Sequence, residues 1–91
     1  MFEWDEAKNQ SNIHKHGVGF ATAVRIFEGP VLTALDDTMD YGEIRERSIG
    51  LIDGIVALLV VHTGRDDVRR IISARRANRS ERKRYEEAIY G

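Results

Sequence analysis

The 91-residue sequence predicts one α+β domain, residues 1–91, with the element order β-α-α-β-β-β-β-α. Three observations support this prediction. Apolar residues recur at helical spacing before Pro30, β-branched runs separated by turn residues follow it, and Asn78 with Glu81 resembles a capping box that opens a last helix. We therefore expect a curled antiparallel sheet with the two N-terminal helices on one face.

The first elements are a short strand and a helix. Residues 2–4 alternate apolar and polar side chains, and Asp5 can cap a helix that runs to His16. Gly17 can end this helix in the left-handed conformation, since glycine carries no Cβ.

A second helix is predicted by apolar residues at i, i+3, i+4 and i+7. These residues are Phe20, Ala23, Val24 and Phe27. Gly29 and Pro30 end the helix, because glycine accepts the geometry of a C-terminal cap and proline cannot continue the hydrogen-bond ladder.

Four strands are expected after Pro30. Residues 31–35 form the first, residues 36–43 an acidic loop, and residues 47–52 the second strand. Asp53-Gly54 is a two-residue hairpin signal, since both positions of that turn require positive φ. Residues 55–63 are apolar at both parities and should be central, and residues 68–76 form the last strand before a helix that reaches Ile89.

The composition restricts the classes of site. The chain has no cysteine, so disulfides and thiolate zinc sites are excluded, and a reducing cytoplasm is the expected compartment. No apolar run approaches the roughly 20 residues that a membrane helix requires. The N-terminal residues also lack the basic-then-apolar pattern of a signal peptide.

The net charge of −1 hides a strong asymmetry. Residues 1–44 carry three basic and eight acidic residues, a charge of −5, whereas residues 45–91 carry eleven basic and seven acidic ones, a charge of +4. Residues 69–84 alone hold eight basic residues and one acid. Such a stretch is either a solvated face with structural ion pairs or a surface for the backbone of a single-stranded nucleic acid.

The histidines give little support for a metal site. His14 and His16 are two residues apart, so a helix points them to nearly opposite sides, and no HExxH motif is present. His16 is the best titratable candidate if the protein cleaves a phosphodiester, although a role at the helix end is the simpler interpretation. His62 lies on the expected central strand and is interpreted as structural.

Three charged residues at alternate positions form another cluster: Glu43, Arg45 and Arg47. Glu43 is either a loop charge that pairs with a neighbouring arginine or a general base.

Three segments together resemble the BrnT toxins of type II toxin–antitoxin systems, which share the RelE/ParE-like fold. They are FEWDEAKNQSNIHKHGVGF at residues 2–20, GEIR at residues 42–45 and RIISARRANRSERKRY at residues 70–85. The resemblance covers nearly the whole chain. It implies a ribonuclease that acts without metal or other cofactor and inhibits translation. It also implies neutralisation by a BrnA-type ribbon-helix-helix antitoxin in a toxin–antitoxin hetero-oligomer, which would contact DNA only through the antitoxin.

The resemblance also suggests roles for individual residues. Arg75 and Arg76 would stabilise phosphate with Arg45 nearby, and His16 or Glu43 would transfer protons. Further RNA contacts are expected from basic residues and one tyrosine that could stack on a base, namely Lys15, Arg79, Arg82, Lys83 and Tyr85. Only three lysines are present, so the lysine cluster of ribosome-dependent relatives is missing, and both free and ribosome-bound RNA stay open as targets.

Two other function classes remain compatible with the sequence. A non-nucleolytic inhibitor on the same fold, like the gyrase-poisoning ParE branch, would block replication rather than translation. A purely structural module would use its arginines only to hold a partner.

Overall fold

The computed structural model describes residues 1–36, 43–65 and 67–91. Its elements follow the predicted order β-α-α-β-β-β-β-α. They are β1 (Phe2–Trp4), α1 (Glu6–His16), α2 (Phe20–Ala23), a 3-10 segment (Val24–Glu28), β2 (Leu32–Asp36), β3 (Arg45–Ile52), β4 (Val56–Arg65), β5 (Val68–Arg76) and α3 (Arg79–Tyr90). Most of the loop predicted at residues 36–43 lies outside the described residues, and Asp36 itself belongs to β2.

The strands form one five-stranded sheet in the order β1-β5-β4-β3-β2. The pairs among β2, β3, β4 and β5 are antiparallel, and β4 is central as its apolar residues predict. The first strand is different, because β1 runs parallel to β5 with Phe2 opposite Arg69. The expectation of an entirely antiparallel sheet is therefore wrong at this edge.

Local signals in the sequence place most of the element ends correctly. The Asp5 side chain accepts hydrogen bonds from the first turn of α1, and Gly17 ends that helix with φ of 71°. Asp53 and Gly54 both have positive φ, 54° and 70°, as their hairpin requires. The second helix keeps its predicted length, but only Phe20–Ala23 is α-helical and the rest narrows to the 3-10 form.

The N-terminal helices cover one face of the sheet, which we call the helix-covered face. Its core joins α2 and the 3-10 segment to β4 and β5 and includes Phe20, Ala23, Ile26, Leu58, Val60, Ile71 and Ala74. The 3-10 segment lies so close to β3 that a Cβ added at Gly50 would be 2.8 Å from the Ile26 Cβ. Glycine is therefore required there for contact between the two layers.

Among the described residues, one end of the opposite face is covered by a helix. Helix α3 packs there through Tyr85, which forms a small cluster with Ile49 and Leu59. Farther along the same strands this face carries Arg45, Arg47, Arg70 and Arg75, and we call it the arginine face.

Candidate nucleic-acid interface

Strand alternation and register bring four arginines to the arginine face. Three of them belong to adjacent rows across the sheet: Arg75 is opposite Leu59, Arg47 is opposite Val61, and Arg70 is opposite Thr63. Leu59 lies under α3, so the row of Arg75 borders the covered end and the following rows extend away from the helix. One sheet surface thus collects positive charge from strands that are distant in sequence.

The Arg75 guanidinium is held in a defined orientation. Its Nη1 and Nη2 donate to the two carboxylate oxygens of Glu81 at 2.8 and 2.9 Å, and Nη1 also donates to the Arg76 carbonyl at 3.1 Å. An arginine has five N–H groups, so three are used and Nε–H and one Nη2–H remain. These two N–H bonds point the same way and form the side fork that binds a phosphate or carboxylate in bidentate fashion.

Glu81 can orient Arg75 because α3 fixes it. The Asn78 side chain accepts from the Glu81 backbone N–H, and the Glu81 carboxylate accepts from the Asn78 backbone N–H, which completes the predicted capping box. The hydrogen bonds from Arg75 lower the pKa of Glu81, and the same pairing raises the pKa of Arg75. Both groups are therefore charged at neutral pH.

A second arginine and acid are also adjacent. The Arg45 Nε lies 3.5 Å from a Glu43 carboxylate oxygen, so these two predicted site residues are brought together as an ion pair. The Arg45 side chain is 16% exposed and that of Glu43 is 46% exposed. Glu43 therefore stays accessible to solvent beside a largely buried cation.

Arg47 belongs to the same face and was not among the predicted site residues. Its side chain is half-buried, and its Nε is buried with no hydrogen-bond partner among the residues that the structure describes. The only sequence signal was its spacing of two from Arg45, which places both on one side of a strand.

Arg76 does not join Arg75. It is exposed and opposite Leu58, a residue of the helix-covered core, whereas Arg75 is opposite Leu59 on the arginine face. Adjacent residues of a strand point to opposite faces, so the geometry does not support joint binding of one phosphate by these two side chains.

The predicted residues of α1 are also separate from this cluster. Lys15 and His16 are exposed in the last turn of α1. Within the described part of the chain, no hydrogen bond or ion pair connects either of them to the arginine face. Helix α1 is attached to β5 instead by Asn12, whose side chain pairs with the backbone N–H and carbonyl of Ala74.

The prediction that Tyr85 stacks on a base is wrong for this conformation. Its side chain is 1% exposed, packs in the core beneath α3 and donates a hydrogen bond to the Pro30 carbonyl at 2.8 Å. The basic residues around Tyr85 suggested an exposed helix, but the sequence did not show that the side of α3 that carries Tyr85 packs against the sheet.

The basic residues of α3 differ in their contacts. Arg82 donates to the Ile55 carbonyl at 2.7 Å and pairs with Glu86 at 3.9 Å, so it helps attach the helix to the β3–β4 hairpin. Arg79 and Lys83 are exposed and available for contact with an anionic partner.

His62 has a structural position, as its strand predicts. It is buried on the helix-covered face, where its Nε2 lies 2.7 Å from the Ser48 Oγ, and that oxygen lies 2.7 Å from the Thr33 hydroxyl. Burial, with a smaller effect from nearby Arg69, lowers the pKa of His62 to about 4. The ring is therefore neutral at physiological pH.

No group of three or more histidine, aspartate or glutamate side chains in the described ranges is placed to hold a metal ion. None of the helices in those ranges is both long and apolar enough to cross a membrane.

Comparisons with known proteins agree with this architecture. The family profile described as "Ribonuclease toxin, BrnT, of type II toxin-antitoxin system" matches residues 4–81. The fold is similar to the 1.1 Å crystal structure of the Brucella abortus ribonuclease toxin BrnT, with 29% sequence identity and a TM-score of 0.65. The match covers 87% of this chain and 99% of the Brucella chain, and no match was found among curated proteins. The chain therefore belongs to the BrnT ribonuclease toxin family of type II toxin–antitoxin systems.

Proposed function

We propose that this protein is an endoribonuclease toxin that cleaves RNA without a metal ion on its arginine face and thereby inhibits translation. The observation that carries the proposal is the Arg75 guanidinium, which is fixed by Glu81 and still presents a bidentate fork. A fixed cation that keeps two parallel N–H donors suits the phosphate of an RNA backbone.

The reaction we propose is transfer of the phosphate to the adjacent ribose 2′-oxygen. A base removes the 2′-hydroxyl proton, the oxygen attacks phosphorus, and the 5′-oxygen leaves with a proton from an acid. Negative charge grows on the non-bridging oxygens during attack, and Arg75 stabilises it there, while Arg45 lies farther along the same face.

Glu43 is the stronger candidate for the base. It pairs with Arg45 on the same face as Arg75 and remains accessible, so RNA that runs from Arg75 past Arg47 along this face would reach it. His16, the other proposed proton-transfer residue, is exposed at the end of α1, which belongs to the helix-covered side of the sheet, and has no described contact with the arginine face.

Other basic residues would extend the contact with RNA. Arg79 and Lys83 on α3 are exposed and have the charge needed to neutralise phosphates along a strand, whereas Lys15 on α1 would contact only RNA that passes around the edge of the sheet. These contacts would add affinity rather than catalysis, since phosphate contacts position the substrate. We also propose that the antitoxin is of the BrnA ribbon-helix-helix type and forms a hetero-oligomer with the toxin.

The decisive experiment measures cleavage of single-stranded RNA in EDTA by the wild type and by Arg75→Lys. We expect the wild type to cleave and the variant to lose activity by about 100-fold, since lysine keeps the charge but loses the fork and its pairing with Glu81. Arg25→Lys is the matched control, because Arg25 lies on the 3-10 segment and pairs with Asp53.

Two results would contradict the proposal. Intact RNA with the wild-type protein would favour a non-nucleolytic toxin, whose induction would halt DNA replication before protein synthesis. Equal cleavage by Arg75→Lys and the wild type would show that the Arg75 fork on the arginine face does not take part in the reaction.

The antitoxin part of the proposal has its own measurement. Because neutralisation usually covers the active surface, we expect the antitoxin to shield the arginine face from amide exchange and to suppress cleavage. Light scattering of the co-purified complex should give a mass above one toxin plus one antitoxin. A mass equal to one toxin plus one antitoxin would contradict a larger toxin–antitoxin assembly.

A further inference from the structure

Arg47 is a charged residue whose direct cross-strand neighbours are apolar. Across the sheet it is opposite Ala34 on β2 and Val61 on β4. Its side chain is half-buried, and its buried Nε–H has no acceptor within the described residues. No ion pair to Arg47 occurs among those residues either.

Other arginines of this chain have acidic partners. Arg75 pairs with Glu81, Arg70 with Glu3 at 2.6 Å, and Arg25 with Asp53. A buried N–H without an acceptor is destabilising, and an apolar side chain between Ala34 and Val61 would avoid that loss. Exposed arginines such as Arg76 and Arg79 also have no described acidic partner, but water can satisfy their N–H groups, whereas the Nε–H of Arg47 is buried. This difference points to an acceptor that comes from outside the chain, and the positive charge selects an anion.

The position of Arg47 relative to Arg75 indicates which anion fits. Arg75 is opposite Leu59 and Arg47 is opposite Val61, so the two arginines lie two strands and one row apart on the same face. Strand spacing and rise place their Cα atoms about 12 Å apart. Glu81 holds the Arg75 guanidinium toward α3, whereas the row of Arg47 extends away from that helix. Two long side chains arranged in this way can contact two phosphates of one strand.

We propose that Arg47 is a second phosphate-binding residue, which holds the RNA backbone at a phosphate neighbouring the one bound by Arg75. This inference rests on the proposed function, because it takes the reacting phosphate to lie at Arg75. Arg47 positions the strand across β3 and β4 and so contributes to substrate affinity, while Arg75 acts on the reacting group.

The test uses a DNA oligonucleotide with the sequence of the cleaved RNA, which lacks the 2′-hydroxyl and so binds without being cut. In Arg47→Met we expect about tenfold weaker binding, and a slope of log K against log salt that is smaller by about 0.7, the value for one lost phosphate contact on a single strand. Arg25→Met removes the same charge elsewhere and should leave both quantities unchanged.

Thermal stability provides an independent measurement, because Arg47→Met should weaken binding but increase the stability of the fold. Replacing a half-buried, unpartnered guanidinium with an apolar chain of similar length should raise the melting temperature by about 4 °C. On RNA, Arg47→Met should raise KM about tenfold and leave kcat within about a factor of two, because a uniform binding contact has been removed. If Arg47 only stabilised the fold, Arg47→Met would lower the melting temperature instead.

The outcomes separate this inference from the proposed function. If the wild type binds the DNA oligonucleotide through Arg47 but cuts no RNA, the ribonuclease proposal fails and the phosphate contact stands. Unchanged affinity and salt slope in Arg47→Met overturn the inference even if RNA is cleaved. A wild type that does not bind the oligonucleotide also overturns it.

Discussion

The helix-covered face and the arginine face come from the same strands, but they contain different kinds of polar group. On the helix-covered face the buried polar side chains are neutral, as in Asn12, Ser48 and the unprotonated His62. The arginine face carries four cations, and within the described residues the buried Nε–H of Arg47 has no acceptor. Neutral hydrogen-bonded groups stabilise a fold, whereas incompletely neutralised charge is useful for binding an anion.

This comparison makes a general expectation for variants. Changes on the helix-covered face should alter the free energy of unfolding and leave the activity of the folded fraction intact. Changes on the arginine face should alter activity more than stability. Three variants test this, taken from the largest expected effect to the smallest.

Asn12→Ala should lower the free energy of unfolding by roughly 3 kcal/mol. The Asn12 side chain bonds both the N–H and the carbonyl of Ala74 and also the Val18 carbonyl, so its loss leaves three backbone groups without partners. Urea denaturation measures the loss, and specific cleavage activity should be unchanged. A tenfold fall in the activity of folded Asn12→Ala would contradict the expectation that changes on the helix-covered face alter only stability.

Glu81→Gln should affect both properties, because Glu81 joins α3 to the arginine face. We expect a loss of about 2 kcal/mol from the weakened contacts with Arg75 and Asn78, reduced from the value for a fully buried pair because Arg75 is 40% exposed. Cleavage should fall about tenfold, with the fall in kcat rather than a rise in KM. Unchanged kcat would show that the orientation of Arg75 does not limit the reaction.

The smallest effect concerns pH and the helix-covered face. The pKa of His62 is about 4 in the folded protein and near 6.5 when unfolded, so the unfolded chain binds the extra proton between these values. The contribution of neutral, buried His62 to the free energy of unfolding is therefore complete above about pH 6.5, and it is lost as the pH falls toward 4. Urea denaturation of the wild type and His62→Gln across this window should show a steeper pH dependence for the wild type. His14→Gln, an exposed histidine, is the control and should keep the wild-type slope.

Much of the fold was predictable because its signals are local. The Asp53-Gly54 turn, the cap at Gly17 and the Asn78–Glu81 capping box each depend on residues within one or two turns, and the structure contains all three. The parallel pairing of β1 was not predictable in this way, since Phe2 is opposite Arg69 across almost the whole chain.

The candidate site was predictable only in part. Residue type identified an arginine-rich surface, but Arg75 and Arg76 were expected to act together although strand alternation points them to opposite faces. No sequence pattern stated which side of the strand α3 leaves open. For the same reason Tyr85 was expected outside and is buried. Arg47 was grouped with Glu43 and Arg45 but given no role, because its distinguishing feature is a buried Nε–H without an acceptor among the described residues, which only the packing reveals.

The parallel pairing of β1 with β5 also has a consequence for synthesis of the chain on the ribosome. Residues 2–4 emerge before the other strands, and their hydrogen-bonding partners near Arg69 are made more than sixty residues later. During that interval β1 has no strand to join, and once β5 has paired with β4 its other edge is open until β1 docks. A nascent toxin thus passes through a stage with an unprotected strand edge, and substitutions in residues 2–4 should influence how much of it aggregates before release.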